Sequence, residues 1–333
     1  MPLSLAQLNK LVAAPSRDAW LAIISTAWET CAPGISPATP SGDVTRRDRE
    51  LADLDLFLAG AGWDLWNDFE EVVEQTANAL ASWWEQPGGR AVLILDGLSL
   101  REVPWILGGA KARGYSVVTA RPTGSELPGD TNAFAHALGF TQRSALTNNG
   151  AAGRTSRLPG ARTECLDIPW EDCARIVNSE PRWVFWHHWP DASLHDMAVA
   201  GKGLDPLVTE AAAKLTSESF WGLVHRLTTG RRLVITSDHG YAASGLFPDV
   251  NDDQAKYLRE RFGGGRFTTA DGGLPTGPWV PPLDLAITSR HGTHHYALGR
   301  RKWRSPAGYP TLAHGGLTVL EVTSPFIELS RGE

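Results

Sequence analysis

Residues 90–120 read RAVLILDGLSLREVPWILGGAKARGYSVVTA, and this stretch decides the fold class. RAVLILD is a short continuous apolar run, the pattern of a strand buried on both faces. LREVPWILGGAKARG, residues 100–114, follows as a helical segment, and YSVVTA at 115–120 is the next strand. The same alternation continues downstream. Strands are expected at TECLDI (163–168), RWVFWHH (182–188), RLVITSD (232–238), LDLAITS (283–289) and VLEVTSPFIEL (319–329). Helical stretches lie between them at 169–177 and 207–229. This order predicts an α/β fold: a mostly parallel sheet sandwiched by helices. Chemistry in such sheets gathers just beyond the carboxyl ends of the strands.

Upstream of this unit the pattern is helical. Residues 3–14 and 19–31 have amphipathic spacing, 33–43 is rich in helix breakers, and 64–86 reads as a further helix. The chain therefore divides into an N-terminal helical cap or docking domain, 1–88, and an α/β domain, 89–333. Six of the 14 tryptophans, Trp20, Trp28, Trp63, Trp66, Trp83 and Trp84, lie in the first part. They are expected as core residues, with a partner surface as the alternative. Residues 263–277 are glycine-rich and read as a loop.

Composition narrows the class. The 333 residues are 42% hydrophobic and 20% charged, an ordinary globular balance. A formal charge of −6 excludes a generally basic nucleic-acid coat. No apolar run has the length of a membrane span and no signal-peptide pattern opens the chain. Cys31, Cys165 and Cys173 are too few and too irregular for a disulfide framework. A reducing, cytoplasmic location is the expectation.

The strand ends carry metal-type ligands. Asp96 closes VLILD, and Asp238 and His239 follow VITS. Asp191 and His195 follow the 182–188 strand at i, i+4 spacing, which puts both on one helical face. His314 precedes the last strand region. Taken singly, each has an ordinary explanation as a turn, surface or buried residue. As a set, three carboxylates and three histidines at loops after strands offer oxygen and imidazole ligands suited to Zn²⁺ or Mn²⁺.

In this order along the chain, Asp96, Asp191-x-x-x-His195, TSDHG at 236–240 and His314 resemble the alkaline phosphatase superfamily. VLILDGLSLRE and YPTLAHGGLTVLEVTSPFIEL resemble the opening and the end of the PglZ domain, a branch of it. The likeness spans roughly 90–329, without the N-terminal part. It implies a site for two divalent metals, zinc first and manganese as the alternative. Asp191, His195 and His314 would hold one. Asp96, Asp238, His239 and a hydroxyl nucleophile would hold the other. Thr131, opening a helical pattern 35 residues after Asp96, fits that nucleophile. A helix N-terminus favours negative charge there. Asp130 or Thr131 as a plain N-cap is the alternative, and Ser99, Thr123 and Ser125 are reserves.

Arg101, Arg290 and Arg301 are the candidates for gripping phosphate. Arg301 belongs to the basic run GRRKWR, which combines charge with an aromatic ring or else forms a solvated strand edge. At most one of His187 and His188 faces the site. His291, His294 and His295 have at most a supporting role. The resemblance implies a phosphodiesterase acting on nucleotides or oligonucleotides in a bacterial phage-defence or signalling system. Protein partners would then dock on the N-terminal helices. A phosphomonoesterase or phosphomutase, and a non-catalytic scaffold, are the alternatives.

Overall fold

The computed structural model describes residues 4–36, 39–146, 150–151, 156–199, 203–244, 250–270, 277–305, 308 and 311–331. Five helices come first: α1 Leu5–Ala13, α2 Ser16–Cys31, α3 Pro40–Ala59, α4 Phe69–Val72 and α5 Thr76–Trp84. Then follow α6 Val103–Ala112, α7 Thr131–Ala137, α8 Trp170–Ile176, α9 Asp191–Val199, α10 Leu204–Thr216, α11 Glu218–Thr228 and α12 Asp252–Phe262. The first six strands are β1 Arg90–Leu95, β2 Tyr115–Gly124, β3 Gly150–Ala151, β4 Arg162–Leu166, β5 Arg182–His187 and β6 Arg232–Thr236. The others are β7 Ala242–Ala243, β8 Phe267–Thr269, β9 Asp284–Ser289, β10 Gly292–Ala297, β11 Leu312–Ala313 and β12 Thr323–Arg331.

The central sheet has the order β2-β12-β6-β1-β5-β4-β3. β6, β1, β5 and β4 are parallel neighbours, while β12 runs antiparallel to both β2 and β6. The α/β class and the mostly parallel sheet follow the expectation. Alternate residues of β1 go to opposite faces, as the strand period demands. Ala91, Leu93 and Leu95 join a core with α2, α3, α6, α8, α10 and α11. Val92 and Ile94 join a second core with α5 and α7. With both faces covered, all six residues of β1 are buried.

The division at residue 88 marks a change of secondary structure but not a separate core. Trp20, Ile23, Leu51 and Leu54 belong to the same apolar cluster as Leu93 and Leu95. Trp20, Trp66 and Trp84 are fully buried. The helix expected over 64–86 is broken into a 3₁₀ turn, α4 and α5. Its middle is spent on the sheet: the Gly124 N–H donates to the Glu74 carbonyl (2.9 Å), and Gln75 bridges Gly124. The 33–43 linker ends early because Pro40 opens α3, where a missing N–H costs nothing.

The strand expected at 283–289 does not join the central sheet. Its end and the start of β10 are separated only by Arg290 and His291, so β9 and β10 form an antiparallel hairpin. A connection that short cannot make a parallel crossover. β8 pairs with β10 on the other side. Part of the glycine-rich 263–277 stretch is therefore strand, and its residues 271–276 lie outside the described residues. No helix among the described residues is long and apolar enough to cross a membrane.

A buried ionic network ties α3 to the sheet. Arg101 and Arg300 both pair with Asp48, and Arg300 Nε also donates to Asp55 (2.5 Å). Beside it, the Glu102 carboxylate accepts from the Ser99 N–H (2.8 Å) and the Tyr241 hydroxyl (2.7 Å). Burial pushes Glu102 up to about 7 from its ordinary 4.5. The folded state then holds a proton that the unfolded chain has released between those values. Stability from this group is present below pH 4.5 and lost as pH rises through about 7. Glu102→Gln mimics the protonated acid. Its melting temperature should therefore gain on wild type as pH rises from 5 to 8, by the equivalent of up to about 3 kcal/mol. A difference that does not change with pH would show that Glu102 stays ionised.

Candidate metal centre and nucleophile

Three strand ends meet at one place. Asp96 follows β1, Asp238 follows β6, and Asp191 opens α9 after β5. The Asp191 N–H donates to the Asp96 carbonyl at 2.9 Å, which fixes the two loops to each other. Gly97 makes this approach available. Its φ is +74°, its N–H donates to Asp238 Oδ1 (2.9 Å), and a Cβ there would lie 3.2 Å from that of Asp191. His195 stands one turn along α9. His314 follows β11, which pairs with β7 just after His239. A two-rung ladder thus carries a late segment back to the strand ends.

The six side chains form two groups, Asp191 with His195 and His314, and Asp96 with Asp238 and His239. The ligand atoms of each group lie within 4.8 Å of one another. The His239 and His314 rings stack at 4.1 Å, so the groups adjoin. The His239 Nδ1 faces the Gly240 carbonyl at 2.9 Å. A carbonyl only accepts, so that nitrogen carries the hydrogen, and in the neutral ring Nε2 is the nitrogen whose lone pair a cation could take. Among the described residues this Nε2 is buried without a hydrogen-bond partner, 3.7 Å from Asp96 Oδ1 and 3.6 Å from Asp238 Oδ2. His314 repeats the arrangement. Its Nδ1 faces the Gly129 carbonyl (3.2 Å) and its Nε2 lies 3.3 Å from His195 Nε2 and 3.6 Å from Asp191 Oδ1. Asp191 Oδ1 is also buried without a hydrogen-bond partner.

Orphaned buried acceptors converging at such distances fit a cation in each group. The charge balance agrees. Burial, and then the neighbouring Asp238, pushes Asp96 well above the usual carboxylate range. Burial would lower His239, but Asp238, Asp191 and Asp96 raise it to about 9. Burial would raise Asp191, yet the hydrogen bond from His195 and the charges of His314 and His239 hold it well below its ordinary value. The site thus has a surplus of negative charge that two divalent cations would neutralise. Its donors suit zinc and manganese alike.

Thr131 sits at this centre. Its hydroxyl is 3.0 Å from Asp238 Oδ2 and 3.3 Å from Asp96 Oδ1. The N-cap of α7 is Asp130, whose carboxylate accepts from the Asn132 N–H at 2.8 Å. Capping therefore leaves the threonine hydroxyl free. The reserves are elsewhere and occupied. Ser99 accepts from Arg101 Nη1, Thr123 shares a hydrogen bond with Thr76, and Ser125 with Ser324.

The arginines fall differently. Arg101 is buried, with its donors on Asp48, Ser99 and the Tyr241 carbonyl. Arg300 is buried between Asp48 and Asp55, and Trp303 of the same basic run packs with Leu258 and Phe262. GRRKWR is therefore neither a nucleotide grip built on Arg300 and Trp303 nor a strand edge. Arg301 is partly buried, and its carbonyl accepts from Arg266. Arg290 pairs with Glu126 at 3.1 Å, as does His291. The guanidinium brought to the centre is Arg143, paired with Asp96 from a 3₁₀ turn at Arg143–Leu146. Sequence reasoning missed it, since no strand end or motif marks it.

His187 is buried away from the centre, hydrogen-bonded to the Ile168 carbonyl and the Trp189 N–H. Burial lowers it to about 4. His188 has its Nε2 3.4 Å from Cys165 Sγ. His295 pairs with Asp284 at 2.9 Å, and His294 lies near Phe267 and Tyr296.

No protein-family model matches the chain, and no curated protein matches it in sequence. Among solved structures it is similar to murine ectonucleotide pyrophosphatase/phosphodiesterase 5 in two forms. One is an inactive variant in complex with AMP (TM-score 0.46) and the other is the protein alone (TM-score 0.43). Each is 12% identical, and each match covers 73% of this chain and 88% of the other.

Proposed function

We propose that this chain is a metal-dependent phosphodiesterase of the PglZ and alkaline phosphatase type, acting on nucleotide or oligonucleotide phosphodiesters. One observation carries the reading: an uncapped Thr131 hydroxyl is hydrogen-bonded to two carboxylates of one ligand group, with the second group stacked against it. A divalent cation in each group would lower the pKa of the alcohol and polarise the phosphoryl group.

The chain's own part is positional. Asp238 Oδ2 orients the Thr131 hydroxyl and accepts its proton. The Oγ1–P bond forms as the ester bond breaks, and the departing alkoxide leaves as the alcohol with the proton that Thr131 gave up, passed from Asp238 through solvent. Water then splits the Oγ1–P bond, releasing a phosphomonoester and restoring the threonine. Arg143, on the Asp96 carboxylate, supplies planar N–H donors for the phosphoryl oxygens. The PglZ resemblance supports a setting in bacterial phage defence or signalling, with partners meeting the N-terminal helices.

The test is metal content of the purified protein together with hydrolysis of bis-p-nitrophenyl phosphate and p-nitrophenyl phosphate. About two equivalents of zinc or manganese with faster diester cleavage is the expected result. Faster monoester cleavage would replace the proposal by a phosphatase. Absence of both metal and turnover would remove the enzymatic reading.

A further inference from the structure

A cavity of about 260 Å³ opens from the His195–His314 pair. Phe267, Leu312, Ala313 and Ala198 give it apolar walls, and Gly264 and Gly265 leave it open. It touches none of Thr131, Asp96, Asp238 or His239. Its position is therefore defined with respect to the chemistry. The hydroxyl stands on one ligand group and the cavity begins at the other.

The walls also define what fits. Arg266 lines the cavity, but its donors are spent on both oxygens of Glu321 and on the carbonyls of Gly299 and Arg301. The Ser305 hydroxyl donates to the Gly308 carbonyl (3.3 Å). No uncommitted cation lines the space among the described residues. Gly315 leaves room for the Phe267 ring: its φ is +93°, and a Cβ there would come within 2.6 Å of the ring. The volume lies just below the range of about 300–1,000 Å³ that takes a drug-sized ligand, so a planar ring system fits within it.

In an in-line displacement the departing oxygen lies opposite the attacking one, and in a two-metal site the second metal steadies it. We infer that this cavity receives the departing group, and that this group is an uncharged alcohol carrying a single planar ring. A departing group that is itself a phosphate chain would meet apolar walls and no free cation. The cationic donor, Arg143, is instead at the Thr131 end, where the retained phosphoryl group lies. This inference rests on the phosphodiesterase reading and goes on to the identity of the alcohol.

Calorimetric binding of phosphonates to the zinc-loaded protein tests it without turnover. Phenylphosphonate should bind about tenfold or more tightly than methylphosphonate, the gain expected from burying a ring. A 4-carboxyphenyl analogue should lose that gain. Gly264→Leu should abolish the difference and leave methylphosphonate binding unchanged. The glycine has no positive φ, and its Cβ would make only ordinary contacts, the nearest 3.5 Å away at Ser305. Ala198→Leu, at another lining position, should act the same way. Equal binding of the phenyl and methyl compounds, or a phenyl gain that survives both substitutions, would overturn the cavity's role alone. Failure of every phosphonate to bind would overturn the phosphodiesterase reading, and this inference with it.

Discussion

Thr131→Ala is expected to lower phosphodiester turnover by about 10³–10⁶-fold, the cost of removing a nucleophile that acts with its partners as a unit. The fold should be unaffected. Asp130, not Thr131, caps α7, and among the described residues the lost hydroxyl bonds only to Asp96 and Asp238 of the centre. Melting temperature should therefore stay close to that of wild type, and metal content should be retained by the six remaining ligands. Thr131→Ser keeps the oxygen and should keep much of the rate. Asp130→Ala should instead destabilise by about 1 kcal/mol, the ordinary cost of a lost cap. A Thr131→Ala protein that binds metal and still cleaves the diester would show that the attacking oxygen comes from elsewhere.

Arg300→Met is expected to have the largest effect on stability. Arg300 is fully buried and bonded to Asp48 and Asp55. Asp48 would keep Arg101, but among the described residues Asp55 would keep only the Val319 N–H. Breaking a buried pair by removing one partner typically costs about 3–5 kcal/mol, since a buried charge is left uncompensated. Burial already pushes Asp55 up, so part of that cost would appear as proton uptake. Urea unfolding should show the loss as a lower midpoint. The double variant Arg300→Met with Asp55→Leu should recover a substantial part of it. No recovery in the double variant would mean that Arg300 matters through packing alone.

The contrast between these two residues shows what the sequence makes legible. Asp96, Asp238 and Asp191 stand out because each follows a buried apolar run, and the end of such a run is where a parallel sheet presents side chains. Thr131 stands out only beside them, through its distance from Asp96. Arg143 has no such marker: it sits in a short turn, and arginine is common on surfaces. Arg300 misleads in the opposite direction. A cluster of basic residues reads as exposed unless the acids that neutralise it are recognised, and Asp48 and Asp55 lie on a helix some 250 residues earlier. The helix expected over 64–86 fails for a related reason. Its local spacing is helical, but Glu74 and Gln75 give their backbone groups to Gly124, a partner that only the tertiary fold supplies. Likewise, 283–289 is correctly a strand, and only the two residues after it decide which sheet it enters.

The placement of β12 has a consequence for the order in which the molecule assembles. It lies between β6 and β2, so β2 joins the sheet only through residues 323–331. Just before it, the carbonyls of Glu321 and Val322 take the Gly240 and Ser125 N–H groups. α7 follows β2, and Thr131 with it. Pairings of such long sequence separation form late, since loop closure must precede any gain from contact. The β6-β1-β5-β4 strands with their crossover helices form a unit of shorter separations that can collect first. Asp96, Asp191 and Asp238 would then be in place before the hydroxyl they serve. Under the proposed function, activity would therefore appear only after β12 has paired, and a partly folded molecule would hold most of the candidate ligands without Thr131 beside them.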